Sequence, residues 1–169
     1  MQNEELLCTS KNNKRVIFDP LSSHTATHFK DTPKLRELVE ELLSNMVIDG
    51  HLIAKDFDLG QIIGDSDVVE VNDTDELIFA MRKNREDQGF VPFTKSRPPQ
   101  PSRLLSIYLA YKDSGTYELL SSWIGEFESP PFPLMNNATA HSIPYWTKHA
   151  FVWGSQEIIP GTENYKRPW

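Results

Sequence analysis

The sequence predicts an α+β domain. An N-terminal helix packs on a curved antiparallel β-sheet made of two hairpins plus an edge strand, with a short C-terminal helix and a Trp/Pro-rich wrapping tail. Three observations carry this. One window, "DTPKLRELVEELLSNM", holds helical periodicity. The middle of the chain is a series of short alternating apolar runs broken by Gly, Asn and Asp. Residues 129–169 concentrate proline and tryptophan.

The helix is the clearest element. Leu35, Leu38, Val39, Leu42, Leu43 and Met46 recur at the spacing of one buried helical face. Thr32 is placed to cap the first amides and Pro33 suits the first helical position, while Lys34, Glu37, Glu40 and Glu41 face water. Such a helix packs; it implies no chemistry. Residues 1–20 are mostly polar apart from "RVIFDP" and read as an N-terminal arm on a single domain spanning 1–169.

After the helix, "VIDGHLIAKD" and "GQIIGDSDVVEV" read as strands and tight turns. "DVVEV" and "ELIFAMRK" are expected to form a hairpin about "NDTD". Pro92 assigns "FVPFTKS" to an edge or bulged position, because proline cannot donate to a ladder. "SRLLSIYLAYK" and "TYELLSSWIG", joined by "DSG", form the second hairpin. A short helix is expected around "SIPYWTKHAF", capped by Ser142, and Trp146, Trp153 and Trp169 anchor the tail.

Composition narrows the function classes. Net charge is −7, hydrophobic content 38% and aromatic content 11%, a globular balance rather than a disordered one. No apolar run reaches the length of about 18 residues that a membrane span needs. The single cysteine, Cys8, excludes an internal disulfide framework, and a cytoplasmic location is expected. No Gly-x-Ser-x-Gly elbow, phosphate-binding glycine loop or calcium loop occurs. His24 and His28 lie four apart, but Thr25 stands where a metalloprotease helix carries glutamate, so neither a metal nor a cofactor is expected.

One stretch runs against the acidic whole. Arg82, Lys83, Arg85, Lys95, Arg97 and Arg103 gather with only two acids, Glu86 and Asp87. In extended chain Lys95 and Arg97 point to the same face. Were the strand of Arg82 to pair with that of Lys95, the cations could converge where a phosphodiester transition state accumulates negative charge. A histidine, His24 or His28, would move protons at neutral pH. Tyr108 would stack a base, and Ser102, Ser106, Ser121 or Ser122 would add hydrogen bonds. These are the parts of a metal-independent ribonuclease, with His24, His28, Lys95 and Arg97 catalytic and Arg82, Arg85, Ser102 and Tyr108 binding substrate. The same cations could simply keep a sheet edge from pairing with another chain.

From "VVEVNDTDELIFAMRKNR" through "FTKSRPPQPS", "YELLSSWIG" and "PPFP" to "YWTKHAFVWG", residues 60–169 or so resemble a group of small, uncharacterised bacterial proteins. More remotely, the order of elements is similar to the barnase, RelE and colicin-nuclease group of toxin ribonucleases. That resemblance implies RNA as partner, His24 or His28 as acid and base, Lys95 and Arg97 on the phosphate, and Arg82 or Arg85 assisting. The acidic charge supports a rival expectation: a non-enzymatic protein of immunity, regulatory or nucleic-acid-mimic type, which binds a basic protein partner.

Overall fold

A computed structural model describes residues 3–21 and 32–169, and it is α+β with mostly antiparallel sheets. In chain order the elements begin with β1 (Glu5–Thr9), β2 (Arg15–Phe18), α1 (Pro33–Ser44) and β3 (Leu52–Asp58). There follow β4 (Gly64–Ser66), β5 (Val68–Glu70), β6 (Leu77–Met81), β7 (Phe90–Thr94) and β8 (Gln100–Ser102). Last come β9 (Leu104–Asp113), β10 (Thr116–Ile124), α2 (Ser142–Lys148) and β11 (His149–Val152). The described residues fall into two compact units. Unit 1 takes the chain up to Ile63 and Arg103–Phe127; unit 2 takes Gly64–Ser102 and Glu128–Trp169.

Unit 1 is a five-stranded sheet in the order β1-β2-β10-β9-β3, with β2 and β10 parallel and the other neighbours antiparallel. Helix α1 starts as its sequence dictates, with Thr32 Oγ1 accepting the Leu35 N–H at 3.2 Å and Pro33 in the first turn. Leu35, Val39 and Leu43 join Val16, Phe18, Leu105, Ile107, Leu109, Tyr117 and Leu119 in one core. The helix is not N-terminal, however: the β1–β2 pair precedes it. Leu7, Val16, Ile17 and Phe18 supply enough buried apolar surface to hold those strands in the sheet. Asn12 ties their turn down by behaving like a strand, donating to Ile48 O and accepting from Ile48 N, both at 3.0 Å.

The β9–β10 hairpin forms as expected, turning at Ser114 (φ 32°) and Gly115 (φ 83°), the left-handed geometry a two-residue hairpin loop favours. A register shift between Leu119 and Ser121 reverses the alternation of β10. Beyond it Ser122 and Ile124, instead of Ser121 and Trp123, lie beside the core residues Ile107 and Leu105.

Unit 2 departs from the expected pairing. Its four-stranded sheet runs β5-β11-β7-β6, and β4 pairs separately with β8. The "NDTD" turn does form: Asp75 Oδ2 accepts the Asn72 N–H at 2.7 Å and Asn72 Oδ1 the Thr74 N–H at 2.9 Å. Yet it leads β5 away from β6 rather than back onto it. β5 pairs instead with β11, where Val69 and Ala150 share an apolar cluster, and β6 pairs with β7. Strand β7 is interior, not an edge. Pro92 is tolerated because pairing with β11 begins one residue later, at Phe93, and because opposite it Phe79 exchanges both backbone bonds with Asn164 at 2.7 Å.

The Trp/Pro-rich segment closes unit 2. Trp146 is 1% exposed, stacks on Phe132 at 4.4 Å and donates its indole N–H to Pro130 O at 2.9 Å. Ser142 does not cap α2; it lies in the first turn, and its hydroxyl accepts the Thr139 N–H at 2.9 Å. Residues 157–164 run along β6 through backbone bonds to Lys83, Met81 and Phe79, so they cover the free edge of that strand.

Candidate anion-binding site

The β6–β7 register decides where the cations go. Leu77 faces Thr94 and Met81 faces Phe90, so Arg82 leaves one end of the ribbon and Lys95 the other. Six residues of strand separate Arg82 from the position opposite Lys95, about 20 Å at the rise of extended chain. The strands of Arg82 and Lys95 pair, as the clamp required, but antiparallel pairing spreads the cations to two poles.

At one pole Lys95 Nζ lies 4.8 Å from the centre of the Trp153 ring, which in turn packs edge-on against Phe93 at 5.7 Å. The parallel β7–β11 register sets Lys95 and Trp153 side by side, one step past Thr94 and Val152. Arg97 chelates Asp75 through Nε (3.0 Å to Oδ1) and Nη2 (3.1 Å to Oδ2). The ion pair holds the Asp75 carboxyl below the usual carboxylate range, chiefly through that side-chain hydrogen bond and then through the Asn72 amide. Arg97 therefore fixes the "NDTD" turn to the strand end.

At the other pole Arg82 lies over two aromatic rings, 4.8 Å from the centre of Phe151 and 5.4 Å from that of Phe132. Its Nε donates to Gln88 Oε1 at 3.1 Å, Nη2 donates to the same oxygen, and Nη1 donates to Gln156 Oε1 at 3.3 Å. Burial pushes the guanidinium down to about 10; repulsion from Arg85 adds to this and Asp87 opposes it. Arg85 is lowered too, by its own burial, with Asp87 again opposing.

Among the described residues, the other expected side chains have places within their own units. Ser102 pairs with Gly64 in the β4–β8 ribbon of unit 2. Tyr108 belongs to unit 1, across from Ser121 and edge-on to Phe127 at 6.2 Å. Ser106 and Ser122 are spent on backbone carbonyls of unit 1: Ser106 Oγ donates to Gly125 O at 2.7 Å and Ser122 Oγ to Ser106 O at 2.8 Å. His24 and His28 lie outside the described residues. Arg103, in unit 1, pairs with Asp58 at 3.1 Å.

Trp153, expected only as a tail anchor, and Gln88 and Gln156, which no motif marks, accompany the cations. A hint existed in "REDQG", where glutamine follows two acids, but no local pattern announces that β11 will lie beside β7. Among the described residues no group of three or more His, Cys, Asp or Glu side chains could hold a metal ion, and no helix is long and apolar enough to cross a membrane. No protein-family model matches the chain, and no curated protein and no solved structure matches it at a significant level.

Proposed function

We propose that the protein is an RNA-binding domain that engages single strands through unit 2. One observation carries the reading: the Lys95 ammonium lies against the partly exposed face of Trp153, with no carboxylate within ion-pair distance among the described residues. A cation beside an aromatic ring is the minimal element for holding a phosphate while stacking a base without sequence preference. Arg97, oriented by Asp75, stands two residues along the same segment. Cleavage is the extension of this reading: His24 or His28 would take the ribose 2′-hydroxyl proton, as the resemblance to toxin ribonucleases implies, and Lys95 would stabilise the charge forming on phosphorus.

Fluorescence anisotropy with a labelled single-stranded RNA tests the binding. Trp153→Ala is expected to weaken it by about tenfold or more, given stacking energies of about 1–3 kcal/mol per base. Lys95→Ala is expected to lower the salt slope of log K by about 0.7. Absence of binding at low salt, or binding by both variants as tight as that of wild type, overturns the reading. RNA incubated with wild type, His24→Ala and His28→Ala in EDTA tests cleavage, and degradation that survives both substitutions removes the histidines from it.

A second reading is favoured by the surface of unit 1. Glu37 and Glu41 are exposed on the outer side of α1, while Arg36 and Arg103 are already held by Glu5 and Asp58. That leaves acidic surface for a basic protein partner. Saturable binding of a defined basic protein, lost at high salt and in a Glu37→Lys/Glu41→Lys variant, would support it; indifference to the double substitution would remove it.

A further inference from the structure

Among the described residues, Arg82 is a cation without a counter-ion in hydrogen-bond contact. Every hydrogen bond its guanidinium makes goes to a neutral amide oxygen, from Gln88 twice and from Gln156 once. Each glutamine, having turned its oxygen to Arg82, presents an NH2 group that has no acceptor among the described residues. Two of the five guanidinium N–H groups are likewise uncommitted, one on Nη1 and one on Nη2. The second cation, Arg85, is close enough to depress Arg82 electrostatically. The inner wall of this corner is thus made of donors and positive charge.

Its back is apolar, formed by the rings of Phe132 and Phe151, which lowers the local dielectric and strengthens any ion held there. Carboxylates occupy the rim. Asp87 acts on both arginines, Glu86 is exposed beside it, and Glu157 is engaged by Lys83 at 3.7 Å. Arg82, Gln88 and Gln156 are each half-buried rather than sealed, so a small solute has a path to them.

We propose that the Arg82–Gln88–Gln156 corner of unit 2 is a binding site for a phosphate-type oxyanion, held by the guanidinium fork and the two amide NH2 groups. A tetrahedral oxyanion fits because it accepts from several donors at once and a guanidinium meets it bidentately. The site stands apart from the Lys95–Trp153 contact by the length of the β6–β7 ribbon and does not depend on the RNA reading. Its ligand could be free phosphate or the terminal phosphate of a nucleic acid; the chemistry of capture is the same.

The test is a titration of wild-type protein with inorganic phosphate at constant ionic strength, read by the side-chain Nε–Hε resonance of Arg82. A saturable shift that chloride does not reproduce is expected. The discriminating variant is Gln88→Glu, which places a carboxylate on the two N–H groups now held by an amide. It supplies the counter-ion from within, so it should fold at least as well as wild type while losing at least tenfold in phosphate affinity. Gln156→Glu should act in the same direction. A parallel arm compares an RNA oligomer bearing a 5′-phosphate with its 5′-hydroxyl counterpart. Preference for the first assigns the site to a nucleic-acid terminus, and equal binding with a retained phosphate response assigns it to the free ion. Absence of a saturable phosphate shift, an equal response to chloride, or undiminished affinity in Gln88→Glu overturns the proposal.

Discussion

Replacing Arg82 with methionine measures what the fold gives up to keep a charge against Phe132 and Phe151. The depression of this guanidinium from its ordinary value to about 10 is equivalent to about 3 kcal/mol against its charged form. Contacts with the two ring faces offset about 1–2 kcal/mol of that. Methionine retains the apolar stem on the same rings, and the half-buried Gln88 and Gln156 amides can turn to water. Arg82→Met is therefore expected to raise the unfolding free energy at neutral pH by about 1–2 kcal/mol, or Tm by about 2–4 °C per kcal/mol for a chain of this size. Urea unfolding followed by the fluorescence of Trp146, Trp153 and Trp169 measures it. The sign with pH follows from the lowered value in the folded state. The cost is carried in full below pH 10, and it is relieved as pH rises above 10, because the folded guanidinium loses its proton before the unfolded one. The advantage of the variant should shrink over that window. A loss of more than about 1 kcal/mol at neutral pH would refute the reasoning, since it would mean that the charge contributes more through its contacts than it costs by burial.

Other expectations follow from the same geometry. Leu43→Ala, at a fully buried position of α1, should cost about 2–5 kcal/mol in urea unfolding, whereas Glu41→Ala on the exposed face should change stability by less than about 0.5 kcal/mol. Gly115→Ala should cost about 1–2 kcal/mol from backbone strain alone, because φ is +83° while the nearest atom to an added Cβ, on Lys14, is a comfortable 3.8 Å away. A carbon-detected NMR titration should place the Asp75 carboxyl below its ordinary 3.8, and Arg97→Ala should raise it. The stability this pair provides is present above the ordinary value and is lost as pH falls through the lower folded one. A titration midpoint indifferent to Arg97→Ala would contradict the ion pair.

What could be read from the chain is what short-range chemistry decides. The i, i+3, i+4 spacing from Leu35 to Met46, the cap at Thr32 and the Ser114–Gly115 turn all act within a few residues, and each is found where the pattern put it. The cations were legible as a group, but their destinations were not. Whether Arg82 and Lys95 meet depends on which strands pair and in what register, and alternation specifies neither. The partner of Lys95 depends on β11, which is more than fifty residues downstream and pairs in parallel. Likewise "DVVEV" is followed by a true turn, yet Val69 pairs with Ala150 of β11 and is buried with it in one cluster, so tertiary pairing outweighed the local hairpin signal.

The placement of β11 also matters while the protein is being made. Residues 149–152 are synthesised after every other strand of their sheet, yet they fill an interior position between β5 and β7. Until they emerge from the ribosome, the sheet that β11 completes consists of a two-stranded ribbon of β6 and β7 and a three-residue β5, both with open edges. Such ribbons are marginal by themselves, and open edges invite pairing with a neighbouring nascent chain. A chain stopped before His149 would accordingly lack a keystone, and the truncated product should be aggregation-prone even though every residue of β5, β6 and β7 is present.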